Sequence, residues 1–336
     1  SYLNGMETGL FTLFILAALH NFIAERSART ALFLVLGALS RPEGIFLMGI
    51  AWLVALGQFK GNRQAYKRQL AWMTVGVLLS ATPYLINIIL TGTPVATGAQ
   101  AKSWLGNVPF VFTDLLRNMS RMFLLILERM ALGFLASRSW PIAPGMLLLA
   151  LVGAISLWQQ KERWVVLLVS GWFIAGTLLA ATLITALWQI GRYQVPFLAL
   201  LLPFIGAGIA ALLGLAKPAW RTVLAVGLLL WGAVVIVSTV QALGAYYDAV
   251  ASLYGQQVAL ARAINRQLPD DALVAVHDAG AIRYLGKRDI YDMIGLTTQG
   301  AADAWRHGSG AIFEQMADAK KRPTHFATYP DVATIP

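Results

Sequence analysis

Hydrophobic and polar positions follow two different rhythms along this chain. Up to residue 243 the pattern is one of long apolar runs. Residues 70–91, 140–158, 165–187, 195–215 and 222–243 contain no Asp, Glu, Lys or Arg, and 9–23 is a slightly shorter run of the same kind. A helix needs about 20 apolar residues to cross a hydrocarbon core of about 30 Å, so these runs are predicted membrane spans. Two shorter runs, 31–40 and 45–57, flank Arg41-Pro42-Glu43-Gly44. At about 1.5 Å per residue each reaches only half to two-thirds of the core. They predict a re-entrant hairpin, or two helices meeting a sunken cavity, and in either case the chain returns to the side it left.

After residue 244 the rhythm changes. Residues 246–267 read as an amphipathic helix closed by Pro269-Asp270-Asp271. Ala272–Val276 is a short apolar run typical of a buried strand, followed by a helical turn to Leu285. Asp289–Ile294 and Thr324–Thr328 suggest two more strands, with a helix at about 300–320 between them. Alternating strand and helix predicts a small parallel sheet. The boundaries are therefore 1–243 for a transmembrane helical bundle with an outer connection at 92–139, and 244–336 for an α/β domain. The expected class is an α-helical polytopic membrane protein with about 8 membrane segments, two of them short, and a small C-terminal α/β extracytoplasmic domain.

Charge gives the orientation. With Glu7 placed outside, the inner loops 24–30, 58–69, 159–164 and 216–221 hold ten Lys or Arg in 31 positions, whereas 92–139 holds five in 48. Basic residues concentrate in cytoplasmic loops. Residues 114–135 are apolar enough to resemble a span, but Asp114, Arg117, Arg121 and Glu128 share one helical face. That periodicity predicts a helix lying in the outer interface. Making it a span would turn Lys161, Arg163, Lys217 and Arg221 outward.

Composition agrees: 58% of residues are hydrophobic and 12% charged. The net charge of +10 resides largely in these topogenic loops, so it implies no nucleic-acid partner. With no Cys, disulfide and thiolate chemistry are excluded, and His20, His277, His307 and His325 lack metal-ligand spacing. The chain begins at Ser1 and is read as an internal fragment of a longer protein.

Five signatures then fall at one predicted face: Asn4-Gly5-Met6-Glu7-Thr8, Arg41-Pro42-Glu43-Gly44, Thr93-Pro94 running to Ala101-Lys102, Gly191-Arg192-Tyr193, and the tail after residue 268. Each has an ordinary structural explanation. Glu7 suits a helix N-terminus, Lys102 a solvated loop, and Arg192 and Tyr193 interfacial anchors. Asp278 ends a strand, where α/β sheets often bind ligands, although a structural turn explains it as well. Arg41 and Glu43 resist such a reading, because non-helical backbone at membrane depth is tolerated where it lines protein or a wet cavity. Arg is suited to bidentate capture of phosphate oxygens and Lys to supplying a point charge.

The segments NGMETGLF, LSRPEGIF, TGTPVATGAQAK, GRYQVPFLALLLPF and ALVAVHDAGAIRYLGKRDIYDMIGL, in this order, resemble the GT-C superfamily of bacterial membrane glycosyltransferases. These are relatives of the protein mannosyltransferases and of the lipid A aminoarabinose transferase. The resemblance covers nearly the whole chain. It implies a GT-C-like bundle in the bacterial cytoplasmic membrane, with the active face and C-terminal domain extracytoplasmic. The implied reaction moves a sugar from a polyprenyl-phosphate donor to a lipid, glycan or protein acceptor, with no nucleotide sugar. Arg41, Lys102, Arg192 and Tyr193 are the implied donor-phosphate residues. The family's main acid sits in an outer loop upstream of the segment matched here, which leaves Glu7 and Glu43 as assisting acids. A divalent metal stays open, since family members differ.

Two other classes compete. A flippase of lipid-linked sugars is disfavoured by the absence of ionisable residues within the long runs. A non-catalytic scaffold of an envelope polysaccharide pathway has little need for Arg-Pro-Glu-Gly inside a membrane segment.

Overall fold

The structure is a computed structural model that describes residues 7–59, 61–95, 97–135, 142–319 and 322–328. By its internal contacts the chain divides into two units. One comprises Ser1–Pro94 with Asn118–Ala242, the other Val95–Arg117 with Leu243–Pro336. The first part of the 92–139 connection therefore groups with the tail.

The first unit is helical. Its elements are α1 (Thr8–Ile23), α2 (Ser27–Ser40), α3 (Gly44–Gly57), α4 (Arg63–Ser80), α5 (Thr82–Thr91), the larger part of α7 (Phe112–Leu132), α8 (Met146–Gln159), α9 (Arg163–Ala181), α10 (Trp188–Gly191), α11 (Val195–Leu215) and most of α12 (Pro218–Leu253). Among the described residues of the whole chain, four stretches are long and apolar enough to cross a membrane: Arg63–Thr91, Arg163–Ala181, Val195–Leu215 and Pro218–Gln267. Among the described residues four apolar helices are shorter, namely α1, α2, α3 and α8.

Three departures from the sequence expectation have local causes. The 70–91 run is interrupted at Ala81, because Pro83 has no N–H to donate and its ring crowds the preceding turn. Among the described residues of the 140–158 run the helix α8 starts only at Met146, since Pro144 and a left-handed Gly145 precede it, and it has 14 residues. At about 1.5 Å per residue α8 covers about 21 Å, less than a hydrocarbon core. The 165–187 run stops being helical at Ala181, where Thr182 turns its hydroxyl onto the Leu179 carbonyl at 2.7 Å. Residues 182 and 184–187 instead form turns, pinned by the Gln194 amide donating to the Ala186 carbonyl at 3.0 Å.

The core is built from Phe11, Ile15, Leu34, Leu47, Met48, Met73, Leu168, Trp172 and Leu200, all essentially inaccessible. The Trp172 indole N–H donates to the Leu47 carbonyl at 2.8 Å, tying α9 to α3. Helices α8 and α11 approach backbone to backbone. A Cβ on Gly153 would lie 1.8 Å from the Phe204 carbonyl oxygen, and one on Gly208 2.1 Å from that of Leu149. Small residues permit such contact between apolar helices, where burial alone supplies little driving force in lipid. Helix α7 keeps Arg117, Arg121 and Glu128 exposed and buries Ile126 and Met130.

In the second unit α6 (Thr97–Lys102) packs against α15 (Ala301–His307). Arg306 secures this contact by donating to the carbonyls of Gln100 and Ser103. Burial lowers the Arg306 pKa from its ordinary value, against the opposing pull of Asp303. Helix α12 passes without interruption through one π turn, Tyr254–Val258, into α13 (Ala259–Gln267). The sequence suggested a separate helix from 246, but Gly244 does not break α12. Then follow β1 (Leu273–Val276), α14 (Ala279–Leu285), β2 (Asp289–Asp292), α15, α16 (Ser309–Asp318) and β3 (His325–Ala327). The three strands are parallel in the order β2-β1-β3, with Ala275 opposite Tyr291 and Phe326. The helix expected at 300–320 is split by Gly308, whose φ of 96° suits glycine and ends α15. Central β1 is buried at every position, as a parallel strand covered on both faces requires.

Candidate functional site

The site begins with a turn. Pro42 disfavours helical backbone at the residue before it, so Arg41 leaves α2 in an extended conformation, φ −148° and ψ 135°. The chain re-enters a helix at Gly44, where a side chain would strike the backbone of Gly37 and Ala38. Glycine thus allows α2 and α3 to close into a tight hairpin with Arg41 and Glu43 at its tip.

Arg41 is only 5% exposed, so its charge must be met by protein groups. Glu43 takes the guanidinium as a fork, Nη2 to Oε1 at 2.8 Å and Nε to Oε2 at 3.4 Å. The second terminal nitrogen, Nη1, lies 3.5 Å from both the Glu7 carboxylate and the Thr8 hydroxyl on α1. The rings of Phe11 and Tyr193 stand 5.6 and 5.3 Å from the Arg41 carbon Cζ, within cation–π range. Tyr193 serves a second cation. Arg192 donates to its hydroxyl at 2.7 Å and lies 4.7 Å from the ring centre. The Tyr84 hydroxyl, on α5, donates to the Pro42 carbonyl at 2.9 Å and braces the hairpin tip.

Among the residues singled out from sequence, Glu7, Arg41, Glu43, Arg192 and Tyr193 therefore come together from α1, the α2–α3 turn and the entry to α11. Asn4, Gly5 and Met6 lie outside the described residues. Lys102 belongs to the second unit, where it ends α6. Exposure separates the five: Arg41 is buried, Arg192 and Tyr193 are half-buried, Glu43 is 23% and Glu7 44% exposed. Phe11 and Tyr84 escaped the sequence reading, whereas Thr8 belonged to the Asn4-Gly5-Met6-Glu7-Thr8 signature. Phe11 follows Glu7 by four positions, a helical spacing that was available as a signal. Nothing in the sequence around Tyr84 points to the Pro42 carbonyl.

The donor set does not fit a divalent metal. Both carboxylates turn toward Arg41, and among the described residues no three His, Cys, Asp or Glu side chains cluster with ligating geometry.

In the second unit Asp278 lies two residues beyond β1, immediately before α14, and accepts from the Gln257 amide at 2.8 Å. His277 lies 3.8 Å from the same carboxylate and packs edge-on to Trp305. Fully buried Asp292 closes the loop after β2. Its carboxylate accepts from the backbone of Ile294, Gly295 and Thr297 and from the Thr297 hydroxyl. Beside it, burial first and then the Asp292 charge raise the Tyr291 pKa.

Residues 246–335 match a sequence family described as a domain of unknown function (DUF8728). Neither the curated proteins nor the solved structures contain a match.

Proposed function

We propose that the chain is a membrane glycosyltransferase that moves a sugar from a polyprenyl phosphate to an acceptor at the outer face of the bacterial cytoplasmic membrane. One observation carries this reading: a buried arginine gathers two carboxylates and an Arg–Tyr stack at one end of a bundle of apolar helices. Such charge concentration is costly beside lipid and is characteristic of sites that handle charged ligands.

In this reading the residues divide the labour. Arg41, held by Glu43, positions the Glu7 carboxylate. Glu7, the more exposed acid, takes the proton of the acceptor hydroxyl. The hydroxyl oxygen then attacks the anomeric carbon, and the bond to phosphate breaks with its electron pair leaving on the polyprenyl phosphate. Half-buried Arg192, oriented by Tyr193, meets that developing charge.

With the purified full chain in proteoliposomes and a polyprenyl-phosphate sugar, Glu7→Gln is expected to lower kcat by about 10²–10⁴-fold, the usual contribution of a general base. Arg192→Lys retains charge but loses the planar fork, so it should raise KM for the donor while preserving the folded state. Wild-type turnover in both variants would remove the assignment.

The orientation behind this proposal has its own check. Cys introduced at Asn62 and at Ser309, in a background without cysteine, should react with impermeant reagents from opposite sides of the membrane. Labelling from one side would place the tail away from the proposed active face.

A further inference from the structure

The sheet of the second unit reverses its strand order at one point. From β1 the chain crosses through α14 to β2, and from β2 it returns through α15 and α16 to β3 on the other side of β1. The two crossings use opposite faces. Ile264 of α13 and Ile282 of α14 pack with Val274 and Val276, whereas Ala301, Ile312 and Met316 pack with Leu273 and Ala275. The order therefore reverses between β1 and β3, and parallel α/β sheets bind ligands beyond the carboxyl ends of the strands at such a point. A crevice of about 220 Å³ lies there. Asp278 lines it from the loop after β1, Ala327 and Thr328 from the end of β3, Ile282 from α14, and Gln256 and Leu260 from the π turn and α13. All six belong to the second unit.

Two observations separate Asp278 from an ordinary turn residue. It stands immediately before α14, where an Asp side chain usually accepts from the first helical amides, yet it makes no such bond. Its Oδ2 instead accepts from the Gln257 amide at 2.8 Å. Gln257 sits in the π turn Tyr254–Val258, which packs against α14, and such turns are frequent at functional sites. One amide occupies one of about four acceptor positions on a carboxylate. The half-buried group is thus oriented by Gln257 and keeps capacity for a ligand's donors.

We infer that this crevice binds a single pyranose ring, as a free sugar or as one residue of a glycan. The inference rests on the second unit alone and is independent of the transferase reading. Among the described residues no Lys or Arg lines the crevice, so a phosphate or carboxylate would meet Asp278 without a counter-charge. Sugar hydroxyls both donate and accept. They suit a carboxylate that accepts together with the Gln256 amide and Thr328 hydroxyl, which do both. The C–H face of the ring would cover Leu260, Ile282 and Ala327. An ammonium ion only donates and would leave that apolar wall in water. The volume is below the roughly 300–1,000 Å³ of drug-sized sites, which suits one ring.

The test uses the purified full chain in lipid nanodiscs, with no glycoside detergent, and the methyl glycosides of glucose, galactose, mannose and N-acetylglucosamine. Binding is read by saturation-transfer difference NMR and the fold by thermal unfolding. At least one glycoside should bind, with transfer greatest at its ring C–H protons. A disaccharide ending in that sugar tells the sources apart: binding assigns the crevice to a glycan residue, and loss of binding to the free sugar. Asp278→Asn keeps an acceptor for Gln257 and removes the charge, so it should weaken the glycoside about tenfold. Ala327→Phe should fill the crevice and abolish binding. Thr328→Val removes one hydroxyl and should weaken binding about threefold with the fold intact, which keeps the test open should Ala327→Phe fail to fold. No transfer from any of the four glycosides, binding of ethylammonium in their place, or unchanged affinity in Asp278→Asn and Thr328→Val would overturn the inference.

Discussion

Replacing Arg41 by Met is expected to destabilise the helical unit by about 3–5 kcal/mol, and Glu43→Gln by a similar amount, whereas the double variant should recover most of the loss. Each single change leaves one member of a buried, forked ion pair without its counter-charge: Arg41 is 5% exposed and Glu43 23%. Removing both charges together removes the desolvation penalty along with the attraction, so the two effects should fail to add. Thermal unfolding of the three variants in detergent measures the coupling directly. Additive losses would mean that the 2.8 Å contact contributes nothing to the fold. Catalysis should part company with stability in the same cycle. Arg41 also faces Glu7 at 3.5 Å, so the double variant should fold and still turn over more slowly than wild type. Full activity in it would take Arg41 out of the catalytic arrangement and leave it as a structural clamp.

Asp292→Ala should have an effect of comparable size in the α/β part of the chain. The carboxylate receives three backbone amides and one hydroxyl at 2.8–3.2 Å in a fully buried setting. Truncation strands those donors, and each unsatisfied buried group costs about 1–3 kcal/mol, which sums to roughly 3 kcal/mol or more. Asp292→Asn retains one acceptor oxygen and should lie between the two. Hydrogen exchange in the intact chain reads the result locally: the amides of Ile294, Gly295 and Thr297 should lose protection. Unchanged protection at all three would show that other contacts hold this loop.

Several features were legible before any coordinates. The apolar runs are set by residue type alone, and most became helices with nearly the expected limits. The tail was legible for a related reason. A short apolar run bounded by turn residues has few alternatives, and β1, β2 and β3 each fall within or beside the segments expected as strands. The charged signatures also stood out, because Arg and Glu interrupt an apolar background rarely enough to be noticed. Where helices end was harder to read. Pro83, Pro144 and Gly145 act through φ restriction and missing donors, which hydropathy does not register. The passage of α12 into α13 was missed because the fall in hydrophobicity after residue 244 marks a change of environment, and the backbone hydrogen bonds continue regardless.

The sequence by itself therefore determined an apolar helical bundle, an α/β tail and the positions where charge enters the bundle. Those properties follow from side-chain polarity and backbone propensity, which act over a turn or two. Only the tertiary structure decided partners. Glu7 meets Arg41 across 34 positions and Tyr193 meets it across 152, through packing of α1, α2 and α11 that no local periodicity encodes. It also decided that Arg41 is buried behind Glu43 while Arg192 stays accessible, and that a π turn carries Gln257 to Asp278. A buried charge selects its neighbours by solvation and geometry in three dimensions, and that choice is made only when the helices come together.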